Sequence, residues 1–189
     1  MATHDWSREV DLEHLAAIRR APDRFAPGGG LHLVLEVIAY AADEAAVNGG
    51  GTCTIARHVD GSVAVVDGGR GTDVRRDERG RPVRKPVMAT RDLRFFDRPG
   101  AELLADGHPR RGISVVAALS VWLEHTNRRG DEAFTQRYER GVPVTGLLPV
   151  PPDGTTGTAV RFLPEVALGP LDDLAHMDWP GLRVLIEVL

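Results

Sequence analysis

The sequence is poor in cysteine and lysine and contains no long apolar run. Its only cysteine is Cys53, which excludes an internal disulfide and fits a reducing compartment, so we expect a cytoplasmic protein. The neighbouring residues favour a strand, and we therefore expect Cys53 to be a buried, unreactive thiol. No segment approaches the roughly 18 apolar residues of a transmembrane helix. The first residues, MATHDWSREVDLEH, lack the basic and apolar pattern of a signal peptide.

A strong net charge is also missing. The formal net charge is −4 at pH 7, which gives no electrostatic reason to expect direct DNA binding. Lys85 is the only lysine, and every other Lys or Arg position is arginine. The 189 residues, 42% of them hydrophobic and 26% charged, suit one soluble core. We therefore predict a single domain over residues 1–189, without contact with a membrane.

Hydrophobic periodicity predicts one long amphipathic helix over Leu31–Val47, which ends at a run of glycines. Spacings of four, four and three residues place a polar stripe on one face of this helix, formed by His32, Glu36, Tyr40 and Asp43. The opposite face, which can pack on a sheet, carries Leu31, Leu35, Ile38 and Ala42.

Segments of alternating polarity predict the strands of an α+β protein. They are Thr52–Val59, Ser62–Asp67, Trp122–Asn127, Ala133–Arg140, Thr158–Leu163 and Leu182–Leu189. The polar segment Thr72–Arg84 is predicted to be a solvated loop. Helices mixed with antiparallel hairpins favour an arrangement in which the helices cover one face of the sheet.

Five segments together carry a family resemblance. They are GGLHLVLEVIAYAADEA at Gly29–Ala45, VDGGRGTDV at Val66–Val74, RRGISVVAALS at Arg110–Ser120, YERGVP at Tyr138–Pro143 and TGTAVRFLP at Thr156–Pro164. In order and spacing they resemble the ATPase domain of the DNA gyrase B and topoisomerase IV family, in the GHKL group of ATP-binding domains. The resemblance implies an α+β fold of the Bergerat type, a two-layer α/β sandwich with helices on one face of a mixed, mostly antiparallel sheet.

The resemblance assigns a catalytic pair to the long helix. Glu36 matches the general base of ATP hydrolysis, and His32 matches the histidine that supports it. From the residues alone, the two are equally an i,i+4 polar pair on a solvated helix. Tyr40 stands where the family has the asparagine that holds Mg²⁺. Because a phenol is a poor ligand for this cation, we do not expect Mg²⁺ binding, and we expect the ring to fill space used by the triphosphate.

The resemblance also assigns the adenine end of the site. Asp67 matches the aspartate that accepts a hydrogen bond from the adenine amino group, and Thr158 matches a threonine that supports it. Gly69 and Gly71 permit the turn between them, and Arg70 matches an arginine that pairs with a nearby acidic residue. Taken by itself, the Asp67-Gly68 pair is equally a simple turn cap.

The segment that matches the phosphate lid departs most from the family. The family has several close glycines there, whose N–H groups hold phosphates. Ala105–Ser114 keeps only Gly107 and Gly112. We expect the side chains of Arg110 and Arg111 to replace part of the lost N–H donors. We expect Arg94 to stand near the position at which the family has a lysine. Asp43 and Glu44 match an acidic pair of the family, either orienting neighbouring groups or lying at the surface.

These departures predict a stand-alone, degenerate gyrase-B-like nucleotide-binding domain with weak or no ATPase activity, acting in regulation or interaction. The implied ligands are ATP, ADP or another planar molecule in the adenine pocket, and a protein is a second kind of partner. One alternative is an active ATPase. Another is a non-enzymatic binding module for a gyrase subunit or a gyrase-directed small molecule. Thr135 stands where the family has an arginine that holds such small molecules, which weakens the small-molecule part of the second alternative without excluding it.

Overall fold

The computed structural model describes residue 4 and residues 9–83, 86–96 and 98–189. The helices are α1 (Leu12–Arg20), α2 (Pro22–Phe25), α3 (Gly29–Asn48) and α4 (Ile113–Ala118). The first strands are β1 (Gly51–Arg57), β2 (Val63–Asp67), β3 (Arg75–Arg76), β4 (Pro82–Val83) and β5 (Ser120–Arg129). They are followed by β6 (Glu132–Glu139), β7 (Val142–Pro143), β8 (Leu148–Pro149), β9 (Gly157–Pro164) and β10 (Leu182–Val188). Two 3₁₀ turns lie at Pro86–Met88 and Asp172–His176.

Eight of these strands form one sheet in the order β10-β1-β2-β9-β5-β6-β7, with β8 paired to β6. The β1–β10 pair is parallel, and the other pairs in this sheet are antiparallel. Helices α3 and α4 pack on the sheet, and α1 packs on α4. This arrangement confirms the predicted α+β sandwich with a mixed, mostly antiparallel sheet. No helix among the described residues has the length and apolarity needed to cross a membrane.

Helix α3 is buried on more sides than its amphipathic pattern predicted. Leu35 and Ile38 are fully buried as expected, whereas Leu31 and Ala42 are only half-buried. Leu33 and Val34 are also fully buried. Helix α3 contacts both α4 and the sheet. Gly49, with a left-handed φ of 76°, ends the helix, as the glycine run predicted. Of the polar residues on α3, His32 and Glu36 are fully buried, whereas Asp43 is exposed.

Cys53 lies on β1 with its side chain fully buried. Burial and the charge of Asp67 raise the pKa of the thiol to about 12. A thiol with such a pKa stays protonated at neutral pH, which confirms the prediction of an unreactive cysteine.

The segment Thr72–Arg84 is not wholly the solvated loop that its polarity predicted. Strands β3 and β4 form a short antiparallel hairpin within it. The Asp77 carboxylate accepts hydrogen bonds from the backbone N–H groups of Arg79 and Arg81, both at 2.9 Å, and this holds the turn. Local bonds of this kind do not depend on hydrophobic patterning. Arg84, at the end of the segment, lies outside the described residues.

Replacing Gly71 by alanine should lower the free energy of unfolding more than replacing Gly80. Both glycines have left-handed backbones, with φ of 71° and 74°, so each substitution costs on the order of 1 kcal/mol in strain. At position 71 the new methyl group would also overlap the carbonyl oxygen of Arg128 on β5, whereas position 80 is open. We expect about 1–3 kcal/mol of additional loss there. Urea unfolding of both variants measures the difference, and equal losses would contradict the close approach of Gly71 to β5.

Candidate functional site

A cavity of about 460 Å³ lies between α3, the inner face of the sheet and the segment that follows β2. This volume is within the range of roughly 300–1,000 Å³ that is typical of small-molecule sites. Its apolar walls include Val37, Val65, Met88, Ile113 and Val160. The size and the lining are typical of a site for a small organic molecule.

Asp67 and Thr158 form the polar end of this cavity. The register between β2 and β9 places Val66 opposite Ala159, which brings the next residue of β2 beside Thr158. The Asp67 carboxylate accepts hydrogen bonds from the N–H of Gly69, at 2.9 Å, and from the backbone N–H and hydroxyl of Thr158. Burial raises the pKa of Asp67, and these hydrogen bonds oppose the shift. Thus strand pairing brings together the two residues that the sequence assigned to the adenine end.

The turn after Asp67 packs against the C-terminal half of α3. The Nε of Arg70 donates to Glu44, over 2.8 Å, so Arg70 does pair with an acidic residue. A Cβ at Gly69 would lie 2.8 Å from the side chains of Asp67 and Glu44. Glycine at position 69 therefore allows α3 to approach the turn. Gly71 lines the cavity itself.

Glu36 is fully buried and is directed at the start of α4. One carboxylate oxygen accepts the backbone N–H of Arg111, and the other accepts that of Gly112 at 2.9 Å. Neither Glu36 nor His32 is among the described residues that line the cavity. Because both side chains are inaccessible, the interpretation as a solvated polar pair is wrong.

His32 lies between two carboxylates. Its Nδ1 is 2.7 Å from Asp106, and its Nε2 is 3.5 Å from Glu36. Burial by itself lowers the pKa of His32, but the neighbouring carboxylates of Glu36 and Asp106 outweigh burial and raise it. Asp106 also accepts the N–H of His108, at 3.0 Å. Gly107 lies in the turn between Asp106 and His108, with open space beside its Cα, and does not line the cavity.

Arg110 is almost fully buried and is already paired. Its guanidinium donates to Asp43, over 2.7 and 3.2 Å, and to Glu102, over 3.0 Å. It also lies 4.7 Å from the ring centre of Tyr40 and 4.1 Å from that of Phe95, within cation–π range. These contacts argue against the expectation that Arg110 replaces lost phosphate donors.

Tyr40 lines the cavity, and its hydroxyl forms two hydrogen bonds within the protein. The hydroxyl donates to Asp92, over 3.1 Å, and accepts the N–H of Ile113, at 3.3 Å. Burial, followed by the Asp92 charge, raises the pKa of Tyr40, so the phenol stays neutral. Arg94, expected to stand near the family's lysine, donates twice to Asp92, over 2.7 and 3.0 Å.

This donor set does not fit Mg²⁺, which needs several hard oxygen ligands in octahedral geometry. The phenol of Tyr40 is neutral, and its hydroxyl donates a hydrogen bond to Asp92 and accepts one from the N–H of Ile113. Asp43, one turn further along α3, is paired with Arg110. The described residues also contain no group of three or more His, Cys, Asp or Glu side chains that could hold a metal ion.

Sequence reasoning missed three acidic residues that complete this region. Asp92 and Glu102 lie in irregular segments outside the segments that carry the family resemblance, and Asp106 lies in the segment that matches the phosphate lid but was not singled out. Each pairs with a side chain that the sequence analysis did single out, namely Tyr40, Arg110 and His32. No periodic or motif signal marks them, because their positions depend on how the irregular segments fold over α3. Gly112 was singled out, and a Cβ there would lie 2.9 Å from the Asp92 side chain.

Comparison with known proteins decides the relationship. The chain is 39% identical over 168 residues to the DNA gyrase B protein of Synechocystis sp., covering 83% of this chain and 15% of that protein. It is 35% identical over 159 residues to the DNA gyrase B protein of Thermotoga maritima, covering 82% and 25%. It is 32% identical over 159 residues to the DNA topoisomerase 4 B protein of Staphylococcus epidermidis, and the match covers 82% of this chain and 24% of that protein. The chain is a homologue of the B subunits of DNA gyrase and topoisomerase IV.

The resemblance to the GHKL domain of this family is thereby confirmed, and the homology supports a GHKL nucleotide-binding domain. No protein-family model matches the chain. The chain spans between 15% and 25% of the length of these three relatives, so the homology concerns one part of them.

Protonated His32 should stabilise this gyrase-B homologue at low pH. The pKa of His32 in the fold lies above its ordinary value of 6.5, so its contribution is complete below about pH 6.5. The contribution is lost as the pH rises through the higher pKa of the folded state. Replacing His32 by glutamine should remove this part of the pH dependence of the unfolding free energy. Denaturant unfolding across neutral pH measures it, with exposed His176→Gln as the control. Identical pH profiles for wild type and His32→Gln would contradict the bridging role.

Replacing Arg110 by leucine should destabilise the fold more than the same change at Arg70. Both arginines pair with neighbouring acidic residues of α3, Asp43 and Glu44. The Arg70 side chain is 58% exposed, so we expect a loss of at most about 1 kcal/mol. The Arg110 side chain is 1% exposed and loses packing and cation–π contacts as well, so we expect about 2–3 kcal/mol. Thermal and urea unfolding give the two values, and equal losses would show that the Arg110 contacts contribute little.

Proposed function

We propose that this chain is a degenerate gyrase-B-like nucleotide-binding domain that does not hydrolyse ATP and acts as a regulatory or interaction protein. One observation carries the proposal: both oxygens of the Glu36 carboxylate accept backbone N–H groups, from Arg111 and Gly112. A general base must reach the proton that it removes, directly or through one water. Glu36 is fully buried and is occupied by the lid segment instead.

Several interactions stabilise the Glu36 side chain in this position. A carboxylate is favourable beside the free N–H groups that precede a helix, and hydrogen bonds to a charged group contribute roughly 1.5–3 kcal/mol each. The nearby imidazole of His32, with its raised pKa, compensates the buried charge. Freeing Glu36 for catalysis would break both N–H bonds and leave its charge less well compensated, which supports a structural role for this side chain.

The remaining features support binding without hydrolysis. The residues around Tyr40 do not fit Mg²⁺, so we derive no step through a metal ion. The cavity with Asp67 and Thr158 at its polar end is separate from the buried pair His32 and Glu36. A ligand in that cavity is sufficient for a regulatory role, in which the bound state changes the surface offered to a partner protein.

The purified protein should therefore show no ATP turnover above background. Loss of a single electrostatic element commonly lowers catalytic rates by a factor on the order of 10²–10³, and here both the free base and the metal ligand are missing. Glu36→Gln should show the same background rate as wild type. It should also lower the free energy of unfolding by about 1–3 kcal/mol, because an amide has one acceptor oxygen and would place its NH₂ group against one of the two backbone N–H donors.

A coupled assay of phosphate release, with Mg²⁺ present, measures turnover for both proteins. Glu165→Gln is the matched control, since Glu165 forms a surface ion pair with Arg140 and should change neither quantity appreciably. Turnover that is present in wild type and abolished in Glu36→Gln would overturn the proposal and establish the active-ATPase alternative.

A further inference from the structure

The backbone donors at the start of α4 are all used within the protein. The N–H of Arg110 donates to the Glu102 carbonyl, at 2.8 Å. The next two N–H groups, of Arg111 and Gly112, donate to Glu36. That of Ile113 donates to the hydroxyl of Tyr40. Four successive donors, in the segment that would otherwise hold phosphate oxygens, are therefore already occupied.

The charged side chains of the same region are also compensated. The Arg110 guanidinium is held by Asp43 and Glu102, and Arg94 is held by Asp92. Tyr40 lies beside Arg110 and presents a neutral ring to the cavity. A phosphate group entering here would have to displace one of these carboxylates from its arginine.

Most charges of the cavity wall are also paired within the protein. Among the lining carboxylates, Asp43 pairs with Arg110, Glu44 with Arg70 and Asp73 with Arg129. The lining Arg94 pairs with Asp92. A triphosphate that took any of these four arginines as a partner would have to break an existing ion pair, whereas a neutral ligand would not.

The polar end of the cavity is suited to a hydrogen-bond donor. Asp67 is a partly buried carboxylate whose surrounding hydrogen bonds come from Gly69 and Thr158. A carboxylate in such a position accepts strongly from an amino group on a ring. The apolar walls contact the faces of such a ring.

We infer that this cavity binds a planar, amino-bearing heteroaromatic ligand without phosphate, that is, a nucleobase or nucleoside rather than a nucleotide. The inference rests on the proposed function, because it keeps the same cavity and the absence of hydrolysis and narrows the ligand from a nucleotide to its base or nucleoside part. It follows from the occupied donors at α4 and the paired charges around the cavity.

Isothermal titration calorimetry of the full chain with adenosine, ADP and ATP, each with and without Mg²⁺, tests the inference. We expect adenosine to bind with a Kd at least tenfold lower than that of ATP, and Mg²⁺ to leave the order unchanged. Asp67→Asn should weaken adenosine binding about tenfold or more, because the charged acceptor is lost. Thr158→Val, which keeps the side-chain shape, should also weaken it. Asp153→Asn is the control and should stay within about twofold, because Asp153 is an exposed partner of Arg128 and is not among the described residues that line the cavity.

The outcomes separate this inference from the proposed function. ATP binding as tightly as adenosine, adenosine binding that is unchanged in both Asp67→Asn and Thr158→Val, or no adenosine binding at millimolar concentration would each overturn the inference. ATP binding without turnover would leave the proposed function intact. Thermal unfolding of each variant identifies any that is misfolded, and Thr158→Val then supplies the test without altering Asp67.

Discussion

The contact between the Glu36 carboxylate and the start of α4 is the constraint on which the site depends. It joins the middle of α3 to Arg111 and Gly112 through two hydrogen bonds in the buried interior. A buried carboxylate is stabilised by such donors, and the imidazole of His32, whose pKa its carboxylate neighbours raise, lies 3.5 Å from it. Asp106 in turn orients His32, so the irregular segment before α4 is held at two points. These contacts both fix the conformation of that segment and bury Glu36.

Tyr40 and Arg110 belong together physically. A tyrosine at this position of α3 leaves a hydroxyl that needs partners, and Asp92 and Ile113 provide them. Its ring offers a face to a cation, and the buried Arg110 lies on it while also contacting Phe95. Asp43 and Glu102 then neutralise Arg110. The departures from the family pattern are therefore parts of one packed cluster, and changing Tyr40 alone would leave the paired Arg110 in place.

The fold was predictable from backbone regularities, and the pairing of Asp67 with Thr158 was predictable from the family resemblance. Helix periodicity located α3, and alternating polarity located the main strands. The arrangement around Arg110 was not predictable. Its partners Glu102 and Phe95 come from irregular segments without periodicity, and long side chains such as arginine reach different partners from the same backbone. The buried state of Glu36 escaped prediction for the same reason, since Arg111 belongs to such a segment.

The two ends of the site can therefore change independently of each other. Asp67 and Thr158 are held together by the pairing of β2 and β9 in the middle of the sheet, and disturbing them disturbs the core. The other end is built from side chains on α3 and from irregular segments between α3 and α4. There, new contacts such as that of Arg110 with Asp43 form without altering any strand. A cavity whose polar end is held by strand pairing can thus persist whatever contacts form at the other end, and the proposed binding role without hydrolysis rests on this arrangement.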